Sequence, residues 1–361
     1  MSSLKVLWSP TRDDQFLTYG NAINLYRVGS LKTYHPQKGQ QVIKLSDETY
    51  AQHLSVNTEI PITKCVAWYP KKEPENLLAV GQANGKVTLT SFGSADNHDL
   101  IGKEFIPKHT RQCNYLVWNP VDCDLLAEGL EKYRGDASIA IWHIMAKHNS
   151  EQATPPERQR YSSTMSDPGA ISKPFIELGT SDVSSSFSWF HSDPKTFVTG
   201  MGSKYLKIYD LRDISRPHLM AQTRSVYGVC TDPRNNNRIA AYTDIHVSVW
   251  DLRSFERPIL TLQEARPVIK IDWCPTRLGF LAVLCKDSSS IKVYDTRLVG
   301  TEELEPAIIE RTVSSHDSSV LSCFSWHMSH VNRLLTLTPA GVLRDITVYE
   351  RIPVVLIEKL T

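Results

Sequence analysis

The stretch Tyr205-Leu206-Lys207-Ile208-Tyr209-Asp210-Leu211-Arg212 decides the architecture, because it returns as His246-Val247-Ser248-Val249-Trp250-Asp251-Leu252-Arg253 and as Ile291-Lys292-Val293-Tyr294-Asp295-Thr296-Arg297. Each copy alternates apolar and polar residues with the period of two that a half-buried strand requires, then closes on an acid. Working outward, an apolar run with a tryptophan near a proline precedes each copy. It reads Leu7-Trp8-Ser9-Pro10, Val66-Ala67-Trp68-Tyr69-Pro70, Val117-Trp118-Asn119-Pro120, Phe187-Ser188-Trp189, Val229-Cys230-Thr231-Asp232-Pro233, Ile271-Asp272-Trp273-Cys274-Pro275 and Phe324-Ser325-Trp326. A short apolar strand follows each, as at 16–20, 77–81, 125–129 and 280–284. Trp189, Thr231 and Trp273 stand at 42-residue intervals, inside the pitch of about 40–45 residues of a WD-type blade.

Fourth strands are expected at 41–45, 103–106, 175–178, 218–221, 258–262, 307–311 and 354–357. Turn residues such as Asn84-Gly85 and Asp287-Ser288 separate the strands. Four antiparallel strands repeated seven times make an all-β, seven-bladed WD-repeat β-propeller, a single body over 1–361. The first strand of each blade is expected to line the central channel and to carry the longest apolar run. Trp8, Trp68, Trp118, Trp189, Trp273 and Trp326 occupy equivalent places, so they are expected to pack between blades, with Thr231 taking that place in the fifth. The segment from about 146 to 173 holds Pro155-Pro156, Pro168-Gly169 and Glu157-Arg158-Gln159-Arg160. That composition predicts a disordered insertion between the third and fourth strands of the third blade. Because the chain opens on an innermost strand, the ring is expected to close by side-chain packing, with 354–357 as the last outer strand.

Lys+Arg 40 against Asp+Glu 39 leaves a net charge of +1, so no broad field favours nucleic acid or anionic lipid. No apolar run approaches the ~18 residues of a membrane span, and the opening Met1-Ser2-Ser3-Leu4-Lys5 lacks an apolar secretory segment. Direct membrane insertion is not expected. The seven cysteines are scattered, and no pair has the two-residue spacing of a zinc knuckle or redox motif. Most sit in or beside strand phrases, where a thiol is a small buried hydrophobe. A reducing, cytoplasmic or nuclear compartment is expected.

The residues that could carry chemistry do not converge on catalysis. There is no His-Glu-x-x-His, no phosphate-cradling glycine loop and no Gly-x-Ser-x-Gly elbow. No enzyme activity, cofactor or metal is expected. His109 and His316 precede innermost strands, Asp287 lies in an inter-strand turn, and Asp210, Asp251 and Asp295 end third strands; a His–Asp hydrogen bond holding the turns of a blade is the structural expectation. Trp250-Asp251-Leu252-Arg253 matches the Trp-Asp-x-Arg element by which some propellers dock on cullin-based ubiquitin ligases. The favoured reading is structural, a strand ending that exposes Arg253, since two sister repeats end alike. Lys103, Lys108, His109 and Arg111 form a modest basic cluster, interrupted by Glu104, in the connection between the second and third blades. Together with Arg253 these are the candidate protein-contact residues.

Asp99-Leu100-Ile101-Gly102-Lys103-Glu104-Phe105 with Pro107-Lys108-His109, Leu78-Ala79-Val80-Gly81-Gln82-Ala83-Asn84-Gly85, Lys64-Cys65-Val66-Ala67-Trp68-Tyr69, Trp273-Cys274-Pro275-Thr276-Arg277 and Ile308-Ile309-Glu310-Arg311 resemble the N-terminal propeller of the Mio (missing oocyte) WD-repeat family. The resemblance runs from about residue 7 to residue 351. It implies a non-enzymatic scaffold subunit of the activating GATOR subcomplex, which relays amino-acid sufficiency to TOR complex signalling. The implied partners are other WD-repeat GATOR subunits, a nucleoporin-type propeller subunit and amino-acid sensor proteins. The implied location is cytoplasmic, reaching the lysosomal surface through the complex. Family members continue into an α-helical solenoid and a Cys/His-rich zinc-binding end, regions expected to be absent from this chain. The alternative class is a WD-repeat substrate receptor of a cullin-type ubiquitin ligase, carried by residues 250–253.

Overall fold

The computed structural model describes residues 4–35, 41–92, 98–145, 170–171, 173–202, 204–297, 309–314 and 319–348. Among the described residues, seven small, essentially antiparallel sheets succeed one another along the chain, with short 3-10 turns at Leu31–Thr33 and Leu252–Ser254 as the only helical elements. Blades three to six each hold four strands in sequence order. The fourth blade is typical: Ser184–Trp189, Thr196–Met201, Tyr205–Asp210 and Leu219–Gln222, running from the channel outward. The seven-bladed propeller read from the repeat is the fold of the chain.

Among the described residues three blades depart from the expected four strands, the first and second with five and the seventh with three. In the first, Lys5–Trp8, Gln15–Tyr19 and Ile23–Ser30 are followed in space by Thr49–Asn57, and Val42–Lys44 lies outside it as a fifth strand. The segment at 41–45 is therefore not the fourth strand. Thr49–Asn57 matches the third strand along its whole length, from Ile23↔Asn57 to Ser30↔Thr49, whereas Val42–Lys44 supplies three pairs; the longer ladder takes the inner place. In the second blade, Glu104–Phe105 is the fourth strand as expected, and Ala170–Ile171 pairs with it in parallel as a fifth. The far end of the third-blade insertion is thus strand-paired rather than loose, and Ile106 N–H also donates to the Ile171 carbonyl at 2.9 Å. Residues 146–169, the expected outer strand at 354–357 and His316 lie outside the described residues.

The core is divided by the ring. Seven apolar clusters each straddle one junction between neighbouring blades. All six repeat tryptophans are buried among them. Three indoles also span the junction by hydrogen bond. Trp118 Nε1 donates to the Ala67 carbonyl at 3.1 Å, Trp189 Nε1 to Val117 at 3.2 Å, and Trp326 Nε1 to Asp272 at 3.2 Å. In each case the acceptor precedes the tryptophan of the preceding blade. Thr231 does the same work by different means: its hydroxyl donates to the Trp189 carbonyl at 2.7 Å.

The longest buried runs are in the second strands, not the innermost ones. Leu125–Leu130 and Phe280–Cys285 are buried at every position, whereas the inner strands Cys113–Trp118 and Val268–Trp273 alternate. A second strand is covered on both faces by neighbouring blades and flanked on both edges by its own blade. An inner strand borders the channel, so every other residue keeps contact with solvent.

The ring closes between the first and seventh blades without strand exchange among the described residues. Trp8 N–H donates to Ser325 Oγ at 3.0 Å, and Ser322 Oγ donates to the Leu4 carbonyl at 3.4 Å. His327 Nε2 meets the Asp13 carbonyl at 2.8 Å. Farther out, Thr49 Oγ1 donates to Asp345 Oδ2 at 3.0 Å, while Arg333 holds the same carboxylate in a fork at 2.9 and 2.6 Å. The apolar cluster of Val6, Trp8, Phe16, Cys323, Leu335 and Leu337 fills the seam. Side-chain packing across the seam is what the phase of the repeat predicts.

Candidate interaction surface

The connection from the second to the third blade begins where Glu104–Phe105 ends and runs to the inner strand Cys113–Trp118. Its geometry is set by Arg111, which is buried. Arg111 Nη2 forms an ion pair with Asp136 Oδ2 at 2.9 Å, and Nη1 donates to the Glu131 carbonyl at 3.3 Å. Its own N–H donates to Asn84 at 3.3 Å, and Glu131 N–H donates to Gln112 at 2.9 Å. These bonds draw the hairpin of the second blade, the connection and the hairpin of the third blade into one surface. Gly85, at φ 83°, is required there, since a Cβ would stand 2.5 Å from the Arg111 carbonyl.

The basic cluster therefore separates. Arg111 is an internal tie, because a guanidinium with 5% of its side chain exposed cannot meet a partner. Lys103 Nζ donates to the Ile144 carbonyl at 2.9 Å and so binds the start of the third-blade insertion to the second blade. Lys108 is exposed, and His109 stacks on Tyr133 with centroids 4.4 Å apart at 23°. Tyr133 was missed by the sequence reading; it lies outside the repeated phrases, and only the folded hairpin brings it to His109.

Arg253 is 74% exposed but already engaged. Its Nε and Nη2 fork onto Asp251 at 2.9 and 2.6 Å, and Asp251 also accepts from Arg253 N–H at 3.0 Å. The Arg253 side chain holds the Asp251 carboxyl below the usual range. Arg297 makes the same fork on Asp295 in the next blade, and Arg212 lies 3.4 Å from Asp210 in the previous one. The strand-ending acids thus pair with the arginine two residues on rather than with histidine. That spacing closes a local turn before any longer-range partner can reach it.

A cavity of about 300 Å³ occupies the channel, bordered by the innermost strands. Its two lysines are committed within the protein. Lys270 Nζ donates to the Phe324 carbonyl at 2.6 Å and lies 4.9 Å over the Phe324 ring, and Lys5 Nζ sits 5.9 Å over Tyr19. Burial raises the Asp272 carboxyl in the inner strand beside it, and burial likewise raises the Cys230 thiol.

One buried cluster lies at the junction of the second and third blades. The sulfurs of Cys65 and Cys113 are 3.2 Å apart, and Gly81 leaves them room, since a Cβ there would meet both sulfurs at 2.6 Å or less. Beside Cys113, the fully buried Glu128 accepts from Trp142 Nε1 at 2.8 Å. Desolvation pushes Glu128 up to about 8, so it is mostly a neutral acid at neutral pH. All seven cysteines are free thiols. Among the described residues no group of three His, Cys, Asp or Glu side chains is placed to hold a metal.

The comparison with known proteins turns on the whole ring rather than on any one of these residues. The model of the family described as MIOS, WD40 repeat, matches residues 42–351. The chain belongs to the MIOS WD40-repeat family. It is 43% identical over 96% of its length to the GATOR2 complex protein MIOS of Danio rerio and 44% identical, again over 96%, to GATOR2 complex protein MIOS-A of Xenopus laevis. It is 31% identical over 92% of its length to the GATOR2 complex protein Mio of Drosophila melanogaster. The chain spans 40% of the length of the two vertebrate relatives and 36% of the insect one. The family likeness first read from residues 64–109, 273–277 and 308–311 is therefore that of the ring as a whole. No helix among the described residues is long and apolar enough to cross a membrane.

Proposed function

We propose that this chain is a non-enzymatic docking propeller of a GATOR2-type assembly. Its partners would be the other WD-repeat subunits, a nucleoporin-type propeller subunit and amino-acid sensor proteins, and its output would be activation of TOR complex signalling at the lysosomal surface. One observation carries the reading: likeness to proteins named as GATOR2 subunits extends around the whole propeller, over 96% of the chain for the vertebrate relatives. A propeller offers rigid loops on two faces, and function in such folds resides in the loops. The single-body organisation over 1–361 belongs to the same proposal.

The test is affinity purification of the tagged full chain from its own cells, with the recovered proteins sequenced. Recovery of GATOR2 subunits in stoichiometric amount is the expected result. Recovery of a cullin adaptor instead, lost on Arg253→Ala, would overturn it. The fork of Arg253 onto Asp251, repeated at Arg297, weighs against that second outcome.

A further inference from the structure

The surface assembled by Arg111 carries more positive charge than the fold uses. Lys108, Lys132 and Arg134 are all exposed, and none makes an ion pair with a described residue. The other charges nearby cancel internally, as Lys86 with Glu104 and Arg111 with Asp136. Glu131 is the one exposed carboxylate of the 131–135 turn, so a surplus of cations remains. The chain as a whole carries a net charge of only +1.

Apolar surface accompanies that charge. Tyr133 is 44% exposed and Ile106 38%. On the same face, one residue before the inner strand Thr63–Trp68, Ile62 is 70% exposed and has a φ of 56°. A β-branched residue in the left-handed region is unfavourable on its own, and exposing it to water is unfavourable again. A docking contact would bury the isoleucine side chain that the fold leaves in water.

We propose that this face of the second and third blades docks an acidic polypeptide segment with an apolar anchor, contributed by a partner protein. The inference rests on reading the chain as a docking propeller and names the chemistry of one partner. Carboxylates of the segment pair with Lys108, Lys132 and Arg134, and its apolar anchor packs on the outer edge of Tyr133. The segment on either side of the anchor crosses Ile106 and Ile62, which adjoin the fourth and innermost strands of the second blade. Single-stranded nucleic acid fits less well, because His109 and Tyr133 stack on each other rather than offering successive free rings. An anionic lipid surface calls for about four to eight clustered cations, more than the three here.

The test uses the full chain in its cellular assembly. Tyr133 is replaced by the photo-reactive p-benzoylphenylalanine, with the same replacement at exposed Val331 on the opposite face as control, and the adducts are sequenced after irradiation. The expected adduct at Tyr133 is a polypeptide segment with net negative charge and at least one large apolar residue. The double variant Lys132→Glu/Arg134→Glu should lower its yield by about tenfold, as reversal of interface cations does, and leave the Val331 control unchanged. Reversing the acids of the captured segment should restore the yield. An adduct with RNA or lipid, a segment without net negative charge, a yield no higher than the control, or indifference to the charge reversal would overturn the proposal. If the captured segment is acidic but belongs to no GATOR2 subunit or sensor, the docking chemistry stands and the assignment to that assembly falls.

Discussion

Two junctions of the ring solve the same packing problem differently. Between the second and third blades the chain is continuous, and the Trp118 indole crosses to the Ala67 carbonyl while Arg111 ties the loops above. Between the seventh and first blades the chain does not run on from one blade into the next, and the Trp8 indole nitrogen has no hydrogen-bond partner among the described residues. There the crossing is made by Trp8 N–H to Ser325 Oγ, by His327 to Asp13 and by the carboxylate of Asp345. The apolar half of the tryptophan is kept at both junctions, and the polar half only at the first. Burial of the ring is therefore the common requirement, and hydrogen bonding is fitted to whichever groups each seam presents.

Tryptophan truncation gives the largest effect. Trp118→Ala and Trp8→Ala should each cost about 3–5 kcal/mol of unfolding free energy in denaturant titration. The gentler pair sharpens the contrast. Trp118→Phe removes the second donor to the Ala67 carbonyl, which stays opposite Ala79 in its own ladder, and should cost about 0.5–1 kcal/mol more than Trp8→Phe. Equal losses would mean that the indole hydrogen bond contributes nothing.

Glu128 provides the next test, on the second-to-third junction alone. Its folded value of about 8 lies above the ordinary 4.5, so the folded state binds the extra proton between those values. The stability this group contributes is complete below the ordinary value and is lost as pH rises through the folded one. The slope should reach at most about 1.4 kcal/mol per pH unit. Glu128→Gln keeps an acceptor for Trp142 without a titrating proton, and should flatten the melting-temperature profile over that window. A profile unchanged by the substitution would show that Glu128 is ionised in the fold.

The smallest effect belongs to the closing seam. Ser325→Ala removes the acceptor of Trp8 N–H and should cost about 1 kcal/mol. Hydrogen exchange should quicken at the Trp8 amide and stay unchanged at that of Trp118. Quickening at both would show that the ring opens as one unit instead of at this seam.

Much of the fold was legible because the repeat is periodic in residues that must be buried. The tryptophans, the apolar second strands and the acids that end third strands mark their places by spacing alone. The first blade differs from the reading at 41–45 because Val42–Lys44 is a strand, but sequence pattern does not say which neighbour it joins; it lies outside Thr49–Asn57, which holds the third strand along its whole length. Among the candidate contact residues, Lys108 and His109 face outward, while Arg111 turned inward to Asp136, 25 positions along the chain. A sequence shows that an arginine is present, but its partner is set by how two hairpins meet.

The sequence by itself determined seven blades, their order and the residues that seal them, since strand period and blade pitch follow from local geometry. The tertiary structure alone decided which charges were spent on the ring and which were left over. Ion pairing depends on distances between loops of different blades, and those distances exist only once the ring has closed. Lys108, Lys132 and Arg134 remain outward because Asp136 and Glu104 had nearer cations to neutralise.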